Sequence, residues 1–127
     1  KKFSIFDTYA YADIVSYPSL FEGWGNQFIE AVFAKKPIMV YEYPVFKTDI
    51  KPQGYEVINL GSVSLRNPQT GFLKLPDETI EAVCNKVINT LLSSETTQKL
   101  ESNFNTAKKN NSRDTLKVLM CKSMEHV

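Results

Sequence analysis

The sequence predicts an α/β domain, a parallel sheet with flanking helices followed by C-terminal helices. Three observations carry that prediction. Residues 13–17, 38–41 and 55–60 read as short strands, and Ile38-Met39-Val40-Tyr41 is apolar at consecutive positions, as a strand covered on both faces is. Residues 26–34 place Phe28, Ile29, Val32 and Phe33 at helical spacing, so a helix joins the first two strands as a parallel sheet requires. Ile80, Val83, Cys84, Val87, Ile88 and Leu91 recur at i, i+3, i+4, i+7, i+8 and i+11, the stripe of a helix docked on such a sheet.

The elements follow in order. Phe3, Phe6, Ala10 and Tyr11 suit a short helix over residues 3–12 that leads into the first strand. Pro18 ends that strand by removing a ladder donor. Asn26 suits the N-cap of the helix over 26–34, whose end is marked by Lys35, Lys36 and Pro37. Residues 42–52 read as a loop limited by Pro44 and Pro52. Its Tyr43, Phe46 and Asp49 fall at the carboxyl end of the second strand, where they either wall a pocket or simply pack. Gly54 and Gly61 bracket the third strand. Residues 62–75 carry Asn67-Pro68 and Gly71, which predict turns with a stub of strand at 71–73. Asp77 is expected to cap the next helix, and Ser94 a further one reaching residue 109 with Leu100, Phe104 and Ala107 inward. Asn110-Asn111 should break it, and Ser112 should cap a last helix with Leu116, Leu119, Met120 and Met124 inward.

Composition narrows the function. A chain of 127 residues with 43% hydrophobic and 23% charged content is one domain's worth of ordinary globular sequence. A net charge of +1 offers no electrostatic footprint for nucleic acid. Cys84 and Cys121 lie in expected helices without metal-ligand spacing, so two buried free thiols are expected. His126 receives no role, and no D-x-D or histidine cluster suggests a metal site. No run approaches the roughly 18 apolar residues of a membrane span, and no signal peptide opens the chain, which together predict a cytoplasmic protein. The start at Lys1-Lys2-Phe3, without methionine, reads as a fragment.

The chemistry gathers between Tyr17 and Glu30, Y-P-S-L-F-E-G-W-G-N-Q-F-I-E. A strand, a glycine-bearing turn and a helix start form a ligand site at the carboxyl end of a parallel sheet, where free helix amides favour negative charge. Gly23 and Gly25 let the backbone bend and approach a ligand closely. Glu22 falls at the loop tip, and Glu30 shares a helix face with Asn26 and Gln27. Each has an ordinary structural reading as well. Glu30 could merely complement the helix dipole, and Trp24 could pin the loop as a core aromatic. Their combination suits a hydroxyl-rich, anionic ligand.

F-E-G-W-G-N-Q-F-I-E-A resembles the E-x7-E signature of retaining, nucleotide-sugar-dependent glycosyltransferases of the group 1, or family 4, type with the GT-B fold. Ala-Asp-Ile-Val-Ser-Tyr-Pro-Ser before it, Ala-Lys-Lys-Pro-Ile after it and T-G-F-L-K-L-P-D-E further on are similar to the same family. The resemblance implies a Rossmann-like sheet, the second half of a GT-B C-terminal domain. It implies Glu22 on the donor sugar as the catalytic carboxylate. Gly23, Trp24, Gly25, Asn26 and Gln27 would lie along sugar and phosphate, and Glu30 on the ribose. The implied reaction is retaining transfer from a nucleotide-diphosphate sugar to a sugar or small-molecule acceptor, with no resident cofactor or metal.

One stretch departs from the common pattern. Many members carry Gly-Gly and a glutamate after the second strand, where this chain has Tyr-Pro-Val-Phe-Lys-Thr-Asp-Ile. That form is similar to the Tyr-x-Val-Tyr-x-x-Asp-Ile of members that make sugar-glycerate solutes, so the departure bears on sugar identity rather than fold. By the resemblance an N-terminal acceptor domain is absent, as are the basic residues placed on the donor phosphates. The isolated chain is therefore expected to be inactive. A non-catalytic Rossmann-like binding or assembly module stands as the alternative, with a GT-B phosphorylase as a third reading.

Overall fold

A computed structural model describes Ser4 and residues 6–115. Three strands, β1 (Val15–Tyr17), β2 (Ile38–Val40) and β3 (Ile58–Asn59), form a parallel sheet in the order β1-β2-β3. Val15 pairs with Ile38 and Tyr17 with Val40, while Met39 pairs with Ile58. The central strand is apolar at every position because both its faces are covered. Ile38 and Val40 face one core, and Met39 packs against the other. The strands are shorter than the apolar runs that predicted them.

Before the sheet stands α1 (Asp7–Tyr11), within the helix expected over 3–12, whose residues 3 and 5 lie outside the described part. Between β1 and β2, α2 (Asn26–Phe33) buries Phe28, Ala31 and Val32 against the sheet. It ends in a reciprocal pair of backbone bonds, Lys36 N–H to Ala31 and Lys35 N–H to Val32. Lys35 takes the left-handed conformation (φ 53°) that usually falls to glycine at this position. Phe33, expected in the core, instead meets Phe104 edge-on at 5.7 Å. That contact joins α2 to α4 (Thr96–Asn111), and the Lys35–Glu101 ion pair reinforces it.

The segment expected as a loop is helical instead. A π-helical turn, Phe46–Ile50, runs into a 3-10 turn, Lys51–Gln53. Pro44 and Pro52 fit because each stands at the start of a turn, where its missing N–H breaks no bond. Tyr43, Phe46 and Ile50 are fully buried with Phe28 and Tyr55. Packing, not a pocket wall, is the role of Tyr43 and Phe46, while Asp49 is exposed.

Residues 62–75 form a hairpin, β4 (Leu65–Arg66) and β5 (Leu73–Lys74), where a lone stub was expected. The Asn67 side chain closes its turn by accepting from the N–H groups of Gln69 and Thr70. Next, α3 (Asp77–Leu92) covers the second face, with Val83 and Val87 on Ile58, Leu60 and Met39. Pro76 takes the cap position expected of Asp77, which lies one residue inside and pairs with Lys74. The apolar stripe is wider than the sheet beneath it. Ile80, Ile88 and Leu91 remain exposed, and so does the free thiol of Cys84, against the expectation of burial. Cys121 lies outside the described residues.

The cap expected of Ser94 falls to Glu95, and Ser93 Oγ accepts from the Glu95 N–H. Ala107 is buried as expected. α4 ends at Asn111, as the break expected at Asn110-Asn111 requires to within a residue or two, and the side chains of both reach sideways. Asn111 Oδ1 accepts from the Tyr55 hydroxyl at 2.8 Å, and Asn110 Nδ2 donates to Gln53 at 3.2 Å. Ser112 then caps a new turn by accepting from the Thr115 N–H. Leu116, Leu119, Met120, Met124 and His126 lie outside the described residues. Among those described, no helix is long and apolar enough to cross a membrane.

Asn103, only 3% exposed, bridges α4 to the approach to β3. Its amide accepts from the Glu56 N–H and donates to the Glu56 carbonyl, both at 2.8 Å. Asn103→Ala removes both bonds and should cost about 1–3 kcal/mol in urea unfolding. A loss below about 0.5 kcal/mol, within the range of a neutral surface change, would show that packing alone holds α4 there.

Candidate functional site

The loop between β1 and α2 is shaped chiefly by Gly25. This residue stands at the N-cap position of α2 with φ 87° and ψ 72° and is buried. A Cβ there would overlap the Tyr43 hydroxyl and sit 3.3 Å from that of Tyr17. Only glycine meets both conditions. Gly23 differs: its φ is not positive and a Cβ would meet nothing within 4 Å. The sharp bend expected of both glycines therefore belongs to one.

Asn26 is the first residue of the helix rather than its cap, since the left-handed Gly25 occupies that place. No side chain caps the helix start. The first bond inside it runs from Phe28 N–H to the Gly25 carbonyl at 3.0 Å. The earlier amides of α2 are left to an outside acceptor or solvent.

Each glutamate stands beside a tyrosine. The Tyr9 hydroxyl donates to Glu30 Oε2 at 3.0 Å. The Tyr17 hydroxyl donates toward Gln27 Oε1 at 3.5 Å and also interacts with the Glu22 carboxylate and Ser19. Behind the loop, the Tyr43 hydroxyl donates to the Trp24 carbonyl at 3.3 Å. Burial pushes the Tyr17 hydroxyl far above the ordinary tyrosine range, helped by Tyr43 and the Glu22 charge. Burial and Glu22 raise Tyr43, and burial with the hydrogen bond and charge of Glu30 raises Tyr9. All three phenols therefore remain protonated donors at neutral pH, oriented around the loop and its carboxylates.

Trp24 is half-buried against the core, so it does pin the loop, and it also walls a cleft of about 490 Å³. Asn26, Ile29 and Glu30 line the same side, and Asn110 through Arg113 close it from the end of α4. The structure thus brings Trp24, Asn26 and Glu30 into one cleft, while Glu22, Gly23 and Gln27 lie outside its lining. Sequence reading missed Tyr9, Tyr17 and Arg113. A tyrosine ending the strand just before the loop was a usable signal for Tyr17. Tyr9 and Arg113 reach Glu30 and its cleft only through tertiary packing.

No family model matches the chain, and no solved structure matches it. Two curated relatives do. A mannosylglucosylglycerate synthase of Petrotoga mobilis is 60% identical over 60 residues, 47% of this chain and 14% of that protein. A mannosylglucosylglycerate synthase of Thermotoga maritima is 36% identical over 117 residues, 91% of this chain and 27% of that protein. The chain therefore spans about a quarter or less of the length of these relatives, and its similarity is to one segment of mannosylglucosylglycerate synthases.

Proposed function

We propose that this chain is the donor-binding part of a retaining glycosyltransferase of the GT-B, family 4 type. Its reaction would move a sugar from a nucleotide-diphosphate sugar to an acceptor held largely by an N-terminal domain outside this chain. The observation that carries this reading is the loop after β1. There a glycine with no room for a side chain turns the backbone against Tyr17 and Tyr43, a helix start is left uncapped, and two glutamates stand beside tyrosine donors. The names of the relatives support sugar transfer and point to a sugar-glycerate product.

In this reading the residues divide the donor between them. Glu30 accepts from ribose hydroxyls, with Oε2 already oriented by Tyr9. The amides from Gly23 to Gln27 lie along sugar and diphosphate. Glu22 contacts hydroxyls at the reacting end of the sugar. As the glycosidic bond to the diphosphate breaks, negative charge grows on the leaving oxygens, and oriented N–H dipoles stabilise it. No resident cofactor or metal is assigned to the reaction.

A thermal-shift screen of the full-length protein that contains this chain, against UDP, GDP, ADP and their sugar forms, tests the proposal. One nucleotide should raise Tm by a few degrees, equivalent to about 2.7 kcal/mol at a hundredfold excess over Kd. Glu30→Ala should remove most of that shift. No response to any nucleotide from a folded sample would overturn the reading.

A further inference from the structure

We infer that Arg113 is the cationic arm of the cleft that holds Glu30, placed to take phosphate oxygens of a nucleoside diphosphate. This inference rests on the nucleotide-sugar reading above and adds to it a binding residue from the far end of the described chain. Three observations carry it.

The first is the cleft itself. It has an apolar wall of Trp24 and Ile29, a carboxylate at Glu30, amides at Asn26 and Asn110, and the guanidinium-bearing Arg113. At about 490 Å³ it lies within the range of small-molecule sites. Glu30 and Arg113 line it together without forming an ion pair with each other. Opposite charges that share a cleft without meeting leave room for a ligand bearing hydroxyls at one end and negative charge at the other. Glu30 already accepts from Tyr9 through Oε2, so its other oxygen can accept from a diol.

The second observation is that the corner carrying Arg113 is anchored. Asn111 holds the buried Tyr55, Asn110 holds Gln53, and Ser112 caps the turn in which Arg113 lies. Thr115 Oγ1 donates back to the Lys109 carbonyl at 2.7 Å. These bonds hold the backbone of Arg113 over the cleft.

The third is the distribution of cations. Among the side chains that line the cleft, Arg113 alone carries positive charge. Among the described residues no carboxylate pairs with Arg113. A guanidinium presents a planar fork of donors that matches phosphate oxygens, and such charge-assisted pairs are among the strong hydrogen bonds.

The test is calorimetric titration of the full-length protein that contains this chain with UDP, GDP and ADP. The tightest of these is then compared with its own nucleoside, measured by competition. Arg113→Ala should weaken the diphosphate about tenfold and leave the nucleoside within about twofold, whereas Glu30→Ala should weaken both. Arg113→Lys should restore part of the loss, and Tm without ligand should stay near wild type because the residue is exposed. An Arg113→Ala protein that binds the diphosphate normally, or loses both ligands in proportion, would overturn the inference and leave the Glu30 assignment standing. If no diphosphate binds the wild-type chain, the nucleotide-sugar reading fails and Arg113 falls with it.

Discussion

Gly25→Ala should destabilise the protein by about 2–5 kcal/mol and abolish nucleotide binding at concentrations that saturate the wild type. Two independent costs combine. A side chain at φ 87° occupies the left-handed region, at roughly 1–2 kcal/mol for an L-residue. The new methyl also overlaps the Tyr43 hydroxyl, and overpacking a rigid site costs about 1–3 kcal/mol. Tyr43 cannot swing aside easily, because its ring is fully buried between Tyr17 and Phe46. Relief must come instead from the loop, which would move Trp24 and the start of α2 together. The two costs can be separated. Tyr43→Phe deletes the overlapping oxygen, so Gly25→Ala in that background should lose only the backbone share. Gly23→Ala is the internal control and should change stability by less than about 1 kcal/mol, since its φ is ordinary and its surroundings open. Equal effects at both glycines in denaturant unfolding would show that the bend is not concentrated at Gly25.

That contrast shows what the sequence could and could not reveal. Local patterns were legible: the apolar runs at β1 and β2, the spacing of α2 and the glycine-bearing loop all lie within one or two turns of chain. Non-local facts were not. Tyr43 and Phe46 look like rim residues by their position after β2, yet they are buried because Phe28 and Tyr55 arrive from elsewhere. The helix end at Asn110-Asn111 was legible, but the partners of their amides, Gln53 and Tyr55, lie more than fifty positions away. Periodicity also overstated burial along α3. A stripe records which side of a helix is apolar, not how much of it the neighbouring sheet is wide enough to cover. Cys84 and Ile88 are exposed for that reason. At the candidate site both glutamates were visible in the sequence, whereas the hydroxyl of Tyr9 and the guanidinium of Arg113 required the fold.

In the full-length protein that contains this chain, Glu22→Ala should lower kcat by about 10²–10³-fold while leaving affinity for the free nucleoside diphosphate within about threefold. Glu22 is half-buried at the loop tip, with its charge felt by the hydroxyls of Tyr17 and Tyr43. If it holds sugar hydroxyls at the reacting end, its interactions matter most while the bond to the diphosphate breaks. Deleting one such oriented group typically costs about 2.7–4 kcal/mol of transition-state stabilisation. The nucleotide alone does not reach that end, so its Kd should scarcely move. Glu22→Gln keeps the shape and one acceptor oxygen but loses the charge, and should fall between wild type and Ala. Tyr17→Phe leaves the carboxylate in place without that hydroxyl and should cost less than either, about tenfold or under, the net worth of one ordinary hydrogen bond. A purely structural Glu22 predicts a different pattern. Without it the loop would loosen, Tm would drop, and nucleotide affinity would decline alongside turnover. Unchanged kcat with a lowered Tm would therefore make Glu22 a brace for the loop and move the catalytic carboxylate elsewhere. A large loss of kcat at constant Tm and constant nucleotide Kd would assign it to the sugar.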